Sequence, residues 1–197
     1  MRVFINGFGR IGRTMLRAYA QGGWPQIEIV GINDIAEPEL CAHLFAYDSV
    51  FGPYRGDVTT RDGALVLDGQ EIPMHRTADI STVDLTGVDV LLECTGKANS
   101  RDIAERGLRA GAARVLISGP SDAADLTVVL GANDALLEDQ PIVSNASCTT
   151  NALAPLVRLI DETWGLTTGW MTTIHCYTGS QPSIDAPRGD MMRSRAA

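Results

Sequence analysis

The sequence predicts an α/β fold, in which a doubly wound parallel sheet is followed by the start of an α+β domain. Short β-rich runs alternate with helical patterns, and a glycine-rich turn joins the first strand to the first helix. The chain has 197 residues and 45% of them are apolar, which is enough to bury a substantial core. We expect two domains, over residues 1–147 and residues 148–197.

The candidate strands are short runs of β-branched and aliphatic residues. They are Val3 to Ile5, Ile27 to Ile32, Val88 to Cys94, Val115 to Ile117, and Leu126 to Leu130. Parallel neighbours are expected because helical patterns separate most of these runs.

The candidate helices follow from apolar spacing and from start and stop signals. Ile11, Met15 and Tyr19 share one helical face, which ends at Gly22 and Gly23. A second helix is expected near Pro38 to Tyr47, and a third from Ser100 to Gly111. Two Asp-Gly pairs between Tyr54 and Arg76 predict antiparallel hairpins.

Charge and cysteine usage narrow the class of partner. With 16 basic and 24 acidic residues and no basic run, the net charge of −8 argues against nucleic acid or an anionic membrane as a partner. We therefore expect a small-molecule ligand. The chain opens on a strand with no targeting signal, which predicts a cytoplasmic protein. The four cysteines have no paired spacing and are expected to be reduced, and with three histidines they form no metal-binding pattern.

A Gly-x-Gly-x-x-Gly motif spans Gly7 to Gly12, directly after the first strand and at the start of the first helix. In a Rossmann-type sheet, such a turn lets a dinucleotide pyrophosphate approach the helix N-terminus. Asp34 ends the second strand, where an acid binds the adenosine ribose and repels a 2′-phosphate, so NAD is favoured over NADP. The alternative is an ordinary glycine-rich turn with an acidic cap. Thr95-Gly96 and Ser118-Gly119 also follow strands and support the ligand site.

Cys148 is the candidate nucleophile. It precedes an apolar stripe from Leu153 to Trp164, so it lies near the N-terminus of a predicted helix, where the helix dipole favours a thiolate. Hydroxyl groups on Ser147, Thr149 and Thr150 suit an oxyanion or a phosphate better than a dry core. The alternative is a small buried residue at the start of a packed helix.

His175 is the candidate base for this thiol. It ends a strand-like run from Trp170 to Ile174, and alternation along a strand puts His175 and Cys176 on opposite faces. An imidazole is the better partner for a cysteine nucleophile. The alternative is a structural histidine that only donates or accepts a hydrogen bond.

These motifs, together with Tyr47 to Val50 and the run from Ser144 to Asn151, resemble the phosphorylating glyceraldehyde-3-phosphate dehydrogenase family over Arg2 to Ala197. The resemblance implies NAD-dependent oxidation and phosphorylation of glyceraldehyde 3-phosphate to 1,3-bisphosphoglycerate, a step of glycolysis and gluconeogenesis. It implies that Cys148 forms a hemithioacetal and then a thioester, with His175 as base. It also implies a homotetramer whose partners are the aldehyde phosphate and inorganic phosphate.

The resemblance carries further site residues. Those implied for the cofactor are Gly7, Phe8, Gly9, Arg10, Ile11, Gly12, Asn33, Asp34, Arg76, Thr95, Gly96 and Ser118. Those implied for the substrate and attacking phosphate are Ser147, Thr149, Thr178 and Arg195, and no metal is expected.

Two departures from the family pattern leave alternatives open. Ser180 stands where the family has an acidic residue, so a related aldehyde phosphate such as erythrose 4-phosphate is a second candidate substrate. Family chains continue by more than half as much sequence again, so the catalytic domain is expected to be incomplete. The chain is then either the N-terminal part of an enzyme or an NAD-binding module without turnover.

Overall fold

The computed structural model describes residues 1–178. Met1–Leu159 form one compact unit, and a second unit begins at Ile160. None of the helices in residues 1–178 is long and apolar enough to cross a bilayer.

The strands are short and the helices alternate with them along the chain. The strands are β1 Arg2–Asn6, β2 Glu28–Asn33, β3 Tyr47–Asp48, β4 Gly52–Pro53, β5 Val58–Arg61, β6 Ala64–Leu67, β7 Gln70–His75, β8 Val90–Glu93, β9 Arg114–Ile117, β10 Leu126–Thr127 and β11 Ile142–Ser144. The helices are α1 Arg10–Ala20, α2 Pro38–Ala46, α3 Arg101–Ala104, α4 Arg106–Arg109 and α5 Cys148–Trp164, with single 3₁₀ turns at Ile80–Thr82 and Asp134–Leu136.

Within residues 1–178, nine strands form one sheet in the order β10-β11-β9-β8-β1-β2-β7-β6-β5. The pairs from β10 to β7 are parallel, whereas β7, β6 and β5 are antiparallel. The strand order reverses at β1, which has β2 on one side and β8 on the other. This is the doubly wound α/β fold that the sequence predicts, and it places the ligand crevice at the carboxyl ends of these three strands.

The core has two parts because successive residues of a strand face opposite sides of the sheet. Phe4 belongs to one buried cluster with Leu91 and Val115. Val3 and Ile5 belong to the other, with residues of α1 and α2. Both faces of the central strands are therefore covered, as parallel sheets require.

The local predictions hold for the first two helices and for the hairpins. Both Asp-Gly pairs adopt positive φ values, at Asp62-Gly63 and Asp68-Gly69, which suits two-residue hairpin turns. The helix expected from Ser100 to Gly111 is interrupted at Glu105 and forms α3 and α4. The last predicted strand shortens to Leu126–Thr127, and β11 was not predicted.

The strand expected over Trp170 to Ile174 is not formed. Residues 165–178 contain neither helix nor strand, and the side chains of Trp170 and Ile174 are almost fully exposed. β-branched residues favour extended backbone, but a strand needs a neighbour to bond its N–H and C=O groups. Within residues 1–178, no strand pairs with this segment.

Candidate functional site

The glycine turn between β1 and α1 is held by close backbone contacts. Gly7 has φ of 92°, and its N–H donates to the Asn33 carbonyl at 2.8 Å. A Cβ on Gly7 would lie 2.7 Å from the Thr95 nitrogen, and a Cβ on Gly12 would lie 2.1 Å from the Gly7 oxygen. A Cβ on Gly9 would meet no atom within 4 Å. Gly7 and Gly12 are thus required by packing, whereas Gly9 leaves open space at the N-terminus of α1, which fits a pyrophosphate.

A cleft of about 260 Å³ opens where β1, β2 and β8 end; we call it the polar cleft. It brings together Asn33, Asp34 and Thr95 with the glycine turn, as the sequence predicts for a dinucleotide. Its lining residues are Asn6, Gly7, Gly9, Asn33, Asp34, Ile35, Thr77, Ala78, Ile80, Glu93, Cys94, Thr95, Lys97, Ile103 and Arg106.

Asp34 holds the glycine turn as well as lining the polar cleft. Its Oδ2 atom accepts the Phe8 N–H at 2.6 Å, and its Oδ1 atom accepts the Ala36 N–H at 2.9 Å. These bonds fix the carboxylate at the mouth of the cleft. The Phe8 side chain is 2% exposed and packs against Phe45, so Phe8 meets a ligand through its backbone at most.

Two predicted cofactor residues, Arg10 and Arg76, pair with carboxylates outside the polar cleft. The Arg10 guanidinium bonds Asp48 and lies 5.1 Å from the centre of the Phe51 ring. Its hydrogen bond holds the pKa of Asp48 well below the usual range. Arg76 lies 2.7 Å from a Glu37 oxygen. Both arginines therefore stabilise loops beside the cleft, and neither is among its lining residues.

Sequence reasoning missed a buried polar chain beneath the polar cleft. Glu93 is 4% exposed and accepts hydrogen bonds from Asn6 and Thr95. Asn6 in turn accepts from Asn33 at 2.7 Å. One sequence signal could have indicated this chain of hydrogen bonds: a polar residue ends each of three apolar strands. The ends of these strands lie side by side in the sheet.

A second cleft, of about 290 Å³, contains the predicted nucleophile; we call it the thiol cleft. It brings Ile11 and Ser118, which the resemblance implies for the cofactor, together with Cys148, the candidate nucleophile. Its lining residues are Ile11, Met15, Leu92, Leu116, Ser118, Asn145, Ala146, Cys148 and Asn151. The thiol thus faces a cleft that begins on the first turn of α1.

The turn from β11 into α5 places Cys148 at the first turn of the helix. Asn145 donates its N–H to the Ile117 carbonyl at 2.9 Å, and Ala146 has a left-handed φ of 57°. Ser147 caps the helix, since its hydroxyl accepts the Thr150 N–H at 3.0 Å. Cys148 is exposed and lies where the helix dipole stabilises a thiolate.

The other cysteines have different surroundings. Burial raises the pKa of the Cys41 thiol to about 11 and that of Cys94 to about 12, so both stay protonated near neutral pH. Cys176 is exposed.

His175 lies in the second unit, is exposed, and has its Nδ1 atom 2.6 Å from the Cys176 carbonyl oxygen. Thr149 is half-buried on α5, and Thr178 is exposed. Gly96 follows β8 with φ of 70°. Ser180 and Arg195 lie outside the described residues. Residues 1–178 hold no group of three or more side chains suited to a metal ion.

Comparison with known proteins relates the sequence of this chain to one family. Residues 1–101 match the glyceraldehyde 3-phosphate dehydrogenase NAD binding domain, and residues 147–197 match the C-terminal domain of the same family. Proteins named glyceraldehyde-3-phosphate dehydrogenase from Xanthobacter flavus and Thermotoga maritima are 48% and 44% identical to the chain.

Each of those alignments covers 100% of this chain and 60% of the relative, so the chain spans about three fifths of the length of its relatives. The protein from Cereibacter sphaeroides is 44% identical with the same coverage. The chain belongs to the glyceraldehyde-3-phosphate dehydrogenase family, and it comprises the NAD-binding domain and the start of the C-terminal domain.

Proposed function

We propose that this chain binds NAD in the polar cleft and carries the nucleophile that oxidises and phosphorylates glyceraldehyde 3-phosphate to 1,3-bisphosphoglycerate. One observation carries the proposal: the Cys148 thiol lies at the N-terminus of α5, in a cleft shared with Ile11 of the glycine-turn helix and with Ser118. Residues 1–147 would be the NAD-binding domain, and residues 148–197 the start of the catalytic domain.

The cofactor contacts follow from the glycine turn and from Asp34. The N–H groups at the start of α1 would hold the pyrophosphate, because Gly9 leaves that approach open. The Asp34 carboxylate would bind the adenosine ribose and repel a 2′-phosphate, which favours NAD over NADP. When bound, NAD supplies the hydride acceptor for the oxidation step.

The chemistry assigned to Cys148 is covalent. Its sulfur would add to the aldehyde carbon to form a hemithioacetal. Loss of a hydride from that carbon, together with loss of the proton from its hydroxyl group, would leave a thioester on the same sulfur. Inorganic phosphate then displaces the sulfur and releases the acyl phosphate.

The remaining roles are proposed from the family. His175 would take the thiol proton and stabilise the oxyanion. Ser147 and Thr149 would border the attacking phosphate, with the Ser147 hydroxyl already engaged as a helix cap. Thr178 and Arg195 would hold phosphate groups, and the active assembly would be a homotetramer.

The test is formation of NADH, followed by absorbance, with glyceraldehyde 3-phosphate, NAD and inorganic phosphate. The proposal expects steady turnover that requires phosphate, and only a stoichiometric burst without it. NAD binding without turnover at any phosphate concentration would instead support a binding module. Because Ser180 replaces an acidic residue of the family, kcat/KM should also be measured with erythrose 4-phosphate.

A further inference from the structure

We propose that Glu93 is a positioning residue for the cofactor. Its carboxylate sets the direction of a buried hydrogen-bond chain that runs under the polar cleft, and the chain orients the groups that meet the adenosine half of the dinucleotide. The inference rests on the proposed binding of NAD, and it adds a residue that holds the binding groups without being required to touch the ligand.

Three strands contribute to this chain at the point where they end. Asn6 closes β1, Asn33 closes β2 and Glu93 closes β8, and their exposed fractions are 5%, 3% and 4%. A buried carboxylate is costly unless hydrogen bonds satisfy its oxygens. Glu93 meets this condition entirely through neighbouring donors.

The direction of the chain is set from Glu93. A carboxylate only accepts hydrogen bonds, so the Asn6 amide must turn its Nδ2 atom towards Glu93 Oε2. That leaves Asn6 Oδ1 to accept from Asn33 Nδ2 at 2.7 Å.

The other end of the chain agrees with this direction. Asn33 Oδ1 accepts the Thr77 N–H at 3.0 Å, while Asn33 Nδ2 also donates to the Thr77 carbonyl at 3.0 Å. Every donor in the row therefore meets an acceptor, from β8 across β1 and β2 to the loop after β7.

The second oxygen of Glu93 holds the turn after β8. Oε1 accepts the Thr95 N–H at 2.9 Å and also the Thr95 hydroxyl. The Thr95 hydroxyl oxygen accepts the Lys97 N–H at 3.1 Å. One buried carboxylate thus orders Asn33, Thr77 and Thr95, all of which line the polar cleft.

A glutamine at this position cannot replace the carboxylate. If its nitrogen faced Asn6, two amide donors would oppose each other; if its nitrogen faced Thr95, the Thr95 N–H would lose its acceptor. The first orientation leaves a buried donor unpaired, and the second removes the acceptor of the Thr95 N–H and releases the turn after β8. Because glutamine has nearly the same size as glutamate, we expect the defect to arise from the direction of the hydrogen bonds and not from packing.

The experiment measures Kd for NAD and for ADP-ribose with the 197-residue chain by calorimetry. Glu93→Gln should raise both Kd values about tenfold or more, because either orientation of the glutamine breaks a hydrogen bond that orders the residues lining the adenosine side of the cleft. Glu71→Gln, an exposed site at the start of β7, makes the same chemical change and should leave both Kd values unchanged.

The double variant Asn6→Asp/Glu93→Gln distinguishes a defect in hydrogen-bond direction from a general loss of stability. It exchanges the acid and the amide, so Asp oxygens accept from the new glutamine and from Asn33, and every bond is restored with the same net charge. NAD affinity should return to within about threefold of the parent, whereas Asn6→Asp alone opposes two carboxylates and should weaken binding.

Parent-like affinity of Glu93→Gln, or a double variant as weak as the single ones, would overturn the inference while NAD binding by the parent stands. No NAD binding by the parent would instead overturn the proposed function and this inference with it. If Glu93→Gln does not fold, the double variant is decisive. A double variant that folds and binds NAD supports the proposed chain of hydrogen bonds, and an unfolded one overturns the inference.

Discussion

The polar cleft and the thiol cleft lie on the same sheet but offer a ligand different surroundings. In the polar cleft, side chains such as Asn6, Asn33 and Glu93 bond one another and leave ordered polar groups facing the opening. The thiol cleft is walled by aliphatic residues that include Leu92 and Leu116. Leu92 and Glu93 are neighbours on β8, yet each lines a different cleft. Alternation along one strand therefore supplies one residue to a polar surface and the next to an apolar surface.

Cys148→Ser should have the largest effect, and it tests whether the thiol cleft is the site of reaction. Removing the nucleophile should lower turnover by roughly 10³-fold or more, because the covalent route is lost, while Kd for NAD stays unchanged. Cys176→Ser is the matched control and should keep parental turnover. Substantial activity in Cys148→Ser would show that the thiol cleft is not the reacting one.

The alkylation rates of the cysteines test the thiol cleft in the absence of substrate. At pH 7.5, iodoacetamide should label Cys148 roughly 100-fold faster than Cys41 or Cys94, whose raised pKa values of about 11 and about 12 keep them protonated. Peptide mass spectrometry over a time course measures each rate. Equal or faster labelling of Cys41, Cys94 or the exposed Cys176 would contradict activation of Cys148.

Substitutions at the middle and last glycines of the turn, Gly9 and Gly12, should have different effects. Gly12→Ala places a Cβ against the Gly7 carbonyl and should lower the free energy of unfolding by roughly 1–3 kcal/mol or more. Gly9→Ala meets only open space at an ordinary φ of −69°, so stability should hold while Kd for NAD rises about tenfold. Thermal unfolding and calorimetry separate the two effects. Unchanged NAD affinity in Gly9→Ala would place the pyrophosphate elsewhere.

The smallest effect is expected from loss of the ion pair between Arg10 and Asp48. Because the ion pair lowers the pKa of Asp48, its contribution to stability is present above the unfolded pKa of about 4 and is lost as the pH falls towards the folded value. Asp48→Asn should lower Tm by at most a few degrees at pH 7, since the pair is partly exposed. The difference from the parent should shrink below pH 4. A difference in Tm between Asp48→Asn and the parent that stays constant from pH 7 to pH 2 would argue against a contribution of the ion pair to stability.

Local signals predicted most of the first unit. The glycine turn, the Asp-Gly hairpins and the N-terminus of α5 each depend on residues within a few positions of one another, so spacing alone indicates them. β11, Ile142–Ser144, was not predicted from the sequence. The run before His175 had strand propensity, but propensity does not supply a pairing partner.

The buried chain under the polar cleft could not be predicted in this way. Asn6 and Glu93 are 87 residues apart, and Asn33 and Thr77 are 44 apart. Their contacts depend on the order of strands in the sheet, which the sequence pattern leaves open. The residue types were visible, but their mutual orientation follows only from the folded arrangement.

The backbone conformation of Ala146 affects the direction of the helix that carries Cys148. A non-glycine residue with left-handed backbone is held there by its surroundings, and its buried position leaves little room to relax. The direction in which α5 sets out is therefore determined by main-chain geometry one residue before the helix cap. The fold itself thus determines where the Cys148 side chain lies in the thiol cleft.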